Sequence, residues 1–292
     1  MPWWSFGGRD EPPLSNDQRA ALGAVVAVAK YELIPLKNID DQAAALPPGA
    51  RVTITASPTH TIEATIDASH AIARRGHEVT PHLSARMVRD RAHLSDLLAR
   101  LRAAGVRKIF VVGGDVKEAG AFRDGLALLR AIHDAGESFE EIGVPSYPEG
   151  HPSIPSDVLT RALEEKQQYA HYMTTQMSFN PSAVADWIFR VRRAGITLPI
   201  YLGVPGVLEV TKLMTIAARI GVADSAKFLA KHLGLLGHIA RPGSFGADAF
   251  LRSLADTLAH PVANVAGLHI FTMNQVRPTA AWHQRLIVEL HG

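Results

Sequence analysis

KIFVVGGD, residues 108–115, decides how this chain is read. Its apolar and β-branched residues run without alternation, as in a strand covered on both faces, and the run stops on Gly113, Gly114 and Asp115. Two glycines let a backbone or a ligand approach closely, and a carboxylate stands where the buried strand ends. A charge at such a place calls for a task.

Seven further runs have strand length and an apolar character: 29–36, 51–57, 78–84, 141–148, 172–179, 198–206 and 268–275. Between them lie helical patterns. In DRAHLSDLLARLRAAG (90–105) the leucines recur at helical spacing and Gly105 suits the position just past a helix end; RDGLALLRAIHDAG (123–136) repeats the pattern. Alternating strands and helices imply parallel strands joined by right-handed crossovers, and eight such units in about 250 residues match a (β/α)8 TIM barrel of the α/β class. The expected architecture is one barrel domain over 1–292, with 1–15 as an N-terminal arm and 16–28 as an extra helix before strand one. The long interval from Pro205 to Leu268 should add two or three helices between strands seven and eight.

Composition limits the function classes. With 292 residues, 47% of them hydrophobic, the chain can bury a large core. Thirty basic and 28 acidic side chains, with no run of Lys or Arg, argue against nucleic acid as a partner. The absence of cysteine excludes disulfides, thiolate metal sites and a Cys nucleophile, and suits a reducing compartment. MPWWSFGGRDEPP at the N-terminus has no signal-peptide core, and the longest apolar stretch, AALGAVVAVA (20–29), is too short to span a bilayer. The expectation is a cytoplasmic protein without a membrane partner. No GxxxxGK[ST], GxGxxG after a strand, GxSxG or HExxH occurs, and the fourteen histidines fall mostly singly, so no metal is expected.

Active sites of such barrels lie at the C-terminal ends of the strands. The polar residues there are Glu32, Thr55, Ser57, His82 and Ser84, followed by Asp115, Tyr147, Glu149, His151, Gln176 and Asn274. Carboxylates, amides and imidazoles without a basic cluster suit proton transfer and hydrogen bonding to a heterocycle better than phosphoryl transfer.

In order and spacing, YELIPLK (31–37), PHLSA (81–85), GGD (113–115), YPEGHP (147–152), TTQMSF (174–179) and HIFTMNQ (269–275) resemble the strand ends of the methylenetetrahydrofolate reductase family. The resemblance implies reduction of 5,10-methylenetetrahydrofolate to 5-methyltetrahydrofolate with NADH or NADPH as hydride donor, supplying methyl groups for methionine synthesis. Glu32 matches the family's acid, which protonates N10 as the imidazolidine ring opens to an iminium at N5; a carboxyl group in an apolar strand should have a raised pKa, suiting it to that role. Asp115 matches the carboxylate that hydrogen-bonds the pterin and stabilises the developing cation. At 4 Å and an effective dielectric near 20, such a pair gains about 4 kcal/mol before desolvation. Gln176 matches a glutamine that contacts both folate and nicotinamide, and Asn274 joins the folate set. Thr55, Ser57, His82, Gly114, Tyr147, Glu149, His151, Lys166 and Gln176 fall on the cofactor pocket, Lys166 after a one-residue gap. Three of these residues also have a plainer reading: an ion pair with a neighbouring Lys or Arg for Glu32, a helix cap for Asp115, backbone satisfaction for Gln176.

The departures from the family matter equally. There the hydride passes through FAD, and the arginine of an RGD motif belongs to the flavin site; here that position is Gly113. The KVDAGA-like segment reads KQQYAH (166–171) without its glycine, and TASPTH (55–60) replaces a YGA-like turn. Either FAD binds through altered contacts, or NAD(P)H gives its hydride straight to the folate iminium, the reading favoured here. A tetrahydrofolate-dependent methyltransferase or demethylase and a non-catalytic folate-binding barrel are the other classes. NADH against NADPH, homo-oligomerisation, polyglutamate preference and the role of 207–265 stay open. Trp3 and Trp4 are expected to pack over a barrel end or a subunit contact, and KHLGLLGHIARPG (231–243) to form a lid or an interface.

Overall fold

The computed structural model describes residues 13–57, 59–219, 244–245 and 247–291. Strands β1 (Ala29–Leu33), β2 (Arg51–Ile54), β3 (Glu78–Ser84), β4 (Lys108–Val112), β5 (Glu141–Ser146), β6 (Tyr172–Thr175) and β7 (Ile200–Pro205) follow one another around a parallel barrel. A small antiparallel pair, β8 (Leu208–Glu209) with β9 (Ser244–Phe245), stands apart from it. The eighth barrel strand, β10 (Val265–Phe271), pairs with β7 on one side and with β1 on the other, closing the ring. The expected (β/α)8 barrel is the observed fold. Trp3, Trp4 and the 231–243 segment lie outside the described residues.

Helix boundaries follow local chemistry. Helix α1 (Asn16–Ala27) is the expected extra helix, started by a capping box in which the Gln18 backbone N–H donates to Ser15 Oγ at 3.2 Å while the Ser15 N–H donates to Gln18 Oε1 at 2.7 Å. Helices α2 (Ile39–Ala44) and α3 (Ile62–Ala73) follow. Helix α4 (Arg91–Ala103) begins where Asp90 accepts from the His93 N–H, and α5 (Gly125–Asp134) where Asp124 accepts from the Ala127 N–H. Both end in αR caps followed by Gly105 and Gly136, whose φ of 69° and 70° is the left-handed conformation that closes a helix. Helices α6 (Ser156–Lys166) and α7 (Pro181–Arg193) complete the middle of the chain. The interval after β7 holds α8 (Val210–Arg219), α9 (Asp248–Ser253) and α10 (Ala255–Ala259), and α11 (Val276–His291) follows β10.

The ladders stop earlier than the apolar runs. β4 ends at Val112 and β6 at Thr175, because residues past those points turn into the loops over the barrel mouth. Gly114 has φ 93°, and Met273 and Asn274 after β10 have φ 48° and 54°, none of which a parallel ladder accommodates. Asp115, Tyr147, Gln176 and Asn274 therefore sit on loops positioned by strands.

Apolar packing fills the layer between strands and helices, with Tyr31 and Leu33 of β1, Ile109 and Val111 of β4, and Leu97, Leu128 and Ile188 of the helices all buried. Inside the ring the character changes. Lys30, 1% exposed, lies at the floor, its ammonium 3.0 Å from Glu141 and stacked over the rings of Tyr172 and Tyr201 at 3.6 and 4.3 Å. Lys108 continues this network to Glu141 at 2.9 Å and to Glu78 at 3.1 Å. Burial pulls the Lys30 ammonium down to about 8 against the opposing charge of Glu141.

Candidate active site

Above the floor, β1 projects Glu32 into the lumen, 8% exposed. Its Oε2 lies 3.1 Å from Nε2 of His269 on β10, within hydrogen-bonding distance, and 3.9 Å from Nε2 of His82 on β3. The surroundings of the carboxyl group are thus two imidazoles, where the sequence led us to expect an apolar strand. Thr272 donates its hydroxyl to the Glu32 carbonyl at 2.5 Å, fixing the backbone on which the carboxyl stands. His82 stacks on Phe110 with ring centroids 4.7 Å apart, and its buried Nε2 has no hydrogen-bond partner. Burial pushes the His82 imidazole down to about 4, with Glu32 opposing and His269 assisting, so it is neutral near pH 7.

This cluster forms the bottom of a cavity of about 1010 Å³ that opens at the C-terminal ends of the strands. Glu32, Thr55, His82 and Ser84 line it from one side. Gly114, Asp115, Tyr147, His151, Lys166 and Gln176 line it from the other. Asp115 is exposed at the mouth, so solvent screens its field well below the value for a desolvated pair. Burial, helped by the charge of Asp115, pushes the Tyr147 phenol up to about 12, and its ring meets His151 edge-on at 5.1 Å. Gln176 is half-buried, with its Oε1 accepting from the Met177 N–H at 2.9 Å. Burial holds Lys166 below the ordinary lysine value, with Asp124 pulling the other way.

Three sequence-selected residues lie apart from the lining of this cavity. Asn274 is buried and engages Ile34, donating from Nδ2 to its carbonyl at 3.0 Å and accepting from its N–H at 2.9 Å. Ser57 pairs with Thr59 at 2.8 Å. Glu149 accepts from the Ser178 hydroxyl and lines a smaller neighbouring cavity of about 250 Å³. Residues absent from the sequence selection appear instead: His269, Phe110 and Phe271 face the lumen. The motif HIFTMNQ contained two of them, and alternation within β10 would have put His269 and Phe271 on one face.

A flavin dinucleotide, implied by the family resemblance, can be tested against the residues at the GGD turn. Gly113 presents no side chain where the family has its arginine, and a Cβ there would meet nothing within 4 Å. Arg86, just after β3, donates to the carbonyls of Val116 at 2.7 Å and Lys117 at 2.5 Å and shapes the 113–123 loop. Gly114 is tied to this arrangement, since a Cβ there would lie 2.0 Å from Ser84 Oγ. Ala170, buried, stands within the segment that lacks its glycine. Gly113 thus lacks the flavin contact that the resemblance places there, while Tyr147, His151 and Lys166 of the same pocket line the cavity.

Comparison with known proteins gives a consistent pattern. A sequence model described as methylenetetrahydrofolate reductase matches residues 33–286. Methylenetetrahydrofolate reductase 2 of Saccharomyces cerevisiae is 26% identical over 208 residues, covering 62% of this chain and 32% of that protein. Methylenetetrahydrofolate reductase 1 of Schizosaccharomyces pombe is 30% identical over 118 residues, covering 37% of this chain and 19% of that protein. The chain thus spans about a third or less of the length of these relatives. Among the described residues, no helix is long and apolar enough to cross a membrane.

Proposed function

Because the chain belongs to the methylenetetrahydrofolate reductase family, we propose that it reduces 5,10-methylenetetrahydrofolate to 5-methyltetrahydrofolate, with NADH or NADPH giving its hydride directly to the folate. The observation that carries this reading is the carboxyl group of Glu32 at the bottom of a large cavity, held by His269 at 3.1 Å. In the reaction Glu32 gives its proton to N10, the bond from the methylene carbon to N10 breaks, and an iminium remains at N5. The hydride from C4 of the dihydronicotinamide then reduces the methylene carbon. One folate, one NAD(P)H and one proton become one methylfolate and one NAD(P)+. His269 orients the acid, and Asp115 and Gln176 at the mouth hold the pterin.

Direct transfer requires both reactants in the pocket together. A volume of about 1010 Å³ lies at the upper end of the roughly 300–1,000 Å³ occupied by single small-molecule sites, which supports a ternary complex. The missing arginine side chain at Gly113 and the engagement of Arg86 by the Val116 carbonyl favour the flavin-free reading. The test is the visible spectrum of the purified protein together with a folate-dependent NAD(P)H oxidation assay. A colourless protein that oxidises NADH or NADPH when methylenetetrahydrofolate is added is expected; a tight yellow complex, or oxidation indifferent to folate, refutes the proposal.

A further inference from the structure

The ladder between β1 and β10 ends at the residue that carries the acid. Its last paired residues are Glu32 and Phe271, because Met273 and Asn274 both take left-handed backbone, φ 48° and 54°, and turn the chain away from β1. Two side chains continue what the backbone leaves off. Thr272 donates its hydroxyl to the Glu32 carbonyl at 2.5 Å and accepts from the Asn274 N–H at 3.1 Å. Asn274 meets Ile34 with both ends of its amide, at 2.9 and 3.0 Å, so one side chain supplies the two bonds that an antiparallel strand partner would make. Beyond the turn, the Val276 N–H donates to Gln42 Oε1 at 3.1 Å and ties the same segment to α2.

This arrangement is not what the cavity lining demands. Thr272 and Asn274 are buried, at 0% and 5% exposure, and neither lines the large cavity. A left-handed pair without glycine persists only where surrounding contacts over-determine it, and here those contacts go to the chain on either side of Leu33. Glu32 is thereby held to the β10 segment at two points. His269 meets its carboxyl at 3.1 Å, and Thr272, three residues further on, holds its carbonyl. With the main chain pinned at the second point, the separation of carboxyl and imidazole at the first is set by the barrel and not by side-chain rotation alone.

We propose that Thr272 and Asn274 are positioning residues of the reaction, a side-chain clip that fixes the end of β1 and so keeps the Glu32 carboxyl against His269. The assignment rests on the reductase reading above. It gives Asn274 a task behind the acid, where the family resemblance placed it on the folate.

The test compares the full chain with Thr272→Val, Thr272→Ser and Asn274→Gly in steady-state kinetics and in hydrogen exchange over residues 31–36. Valine keeps the shape of Thr272 without its hydroxyl, and serine restores the hydroxyl. Glycine adopts the left-handed turn at 274 freely, so that substitution removes the amide and leaves the backbone its conformation. In Thr272→Val and Asn274→Gly, kcat should fall about tenfold or more while KM for methylenetetrahydrofolate stays within about twofold, and Thr272→Ser should keep most of the natural kcat. Exchange over 31–36 should quicken in the same two variants. Natural kcat in both overturns the assignment, and so does a loss carried by KM, which would put these side chains on the substrate. A loss that Thr272→Ser shares with Thr272→Val, or that follows the unfolded fraction in thermal melts, overturns it as well. Should the natural protein fail to reduce the folate, the reductase reading falls; quickened exchange in the variants then still upholds the clip, and unchanged exchange removes it.

Discussion

Acidification should destabilise this barrel through His82, and the size of the effect follows from its surroundings. The imidazole is 8% exposed, packed on Phe110, and pushed from 6.5 down to about 4 chiefly by burial. An unfolded chain takes up that proton near pH 6.5, whereas the folded chain does so near pH 4. Between those values the unfolded state binds more protons, so stability is fully present above pH 6.5, falls as the pH is lowered, and levels off below about 4. One pH unit of separation corresponds to about 1.4 kcal/mol, so the whole window is worth roughly 3 kcal/mol. His283 adds in the same direction, since its buried ring, bonded to Tyr31 and Val26, is also pushed down. The contribution of His82 is therefore read as a difference. Urea unfolding of the natural protein and of His82→Gln between pH 7 and pH 4 should give curves that converge by roughly 3 kcal/mol as the pH falls. Parallel curves across that range would show that the folded imidazole titrates normally and that the lumen is wetter than its packing implies.

Two further outcomes follow from single positions. Glu32→Gln keeps the hydrogen-bonding capacity toward His269 but removes the proton, so turnover should fall at least about a hundredfold while folate binding, measured by titration, stays largely intact; undiminished turnover would remove Glu32 from the reaction. Gly114→Ala places a Cβ 2.0 Å from Ser84 Oγ on a residue with φ 93° and should cost about 1–3 kcal/mol in chemical unfolding. Adding Ser84→Ala should restore part of that loss, the steric part, and a double variant no more stable than the single one would place the strain elsewhere.

The barrel was legible in the sequence because both faces of most strands are buried and because helix ends carry their own chemistry. The stretches 90–105 and 123–136, read as helical with a closing glycine, hold α4 and α5, whose first turns are capped by Asp90 and Asp124. Eight apolar runs with such helices between them left few alternatives to a closed parallel ring. The mouth was legible for a different reason: its residues lie in short motifs whose order the family shares, so Glu32, His82, Tyr147 and Lys166 could be selected without knowing a single distance. What stayed hidden was the lumen. Continuous burial gives no alternation by which to tell the helix-facing side of a strand from the inward-facing one, and so Lys30, Phe110, Tyr172 and His269 looked like ordinary strand residues. Asn274 was selected for the opposite reason, since a polar residue past a strand end reads the same whether it faces a ligand or, as here, ties the end of β1 through Ile34.

The lumen also changes what the acid requires. In an apolar strand, Glu32 would hold its proton because nothing stabilises the anion. In the observed barrel it stands between an imidazole in contact at 3.1 Å and a second, neutral imidazole at 3.9 Å. On the proposed reading, the carboxylate left after protonation of N10 can accept a hydrogen bond from His269 without moving, and the neutral His82 leaves its other side open to a substrate atom or a solvent proton. The proton consumed in each turnover of that reaction returns to Glu32 from solvent, and the cavity above the cluster is left to the two reactants.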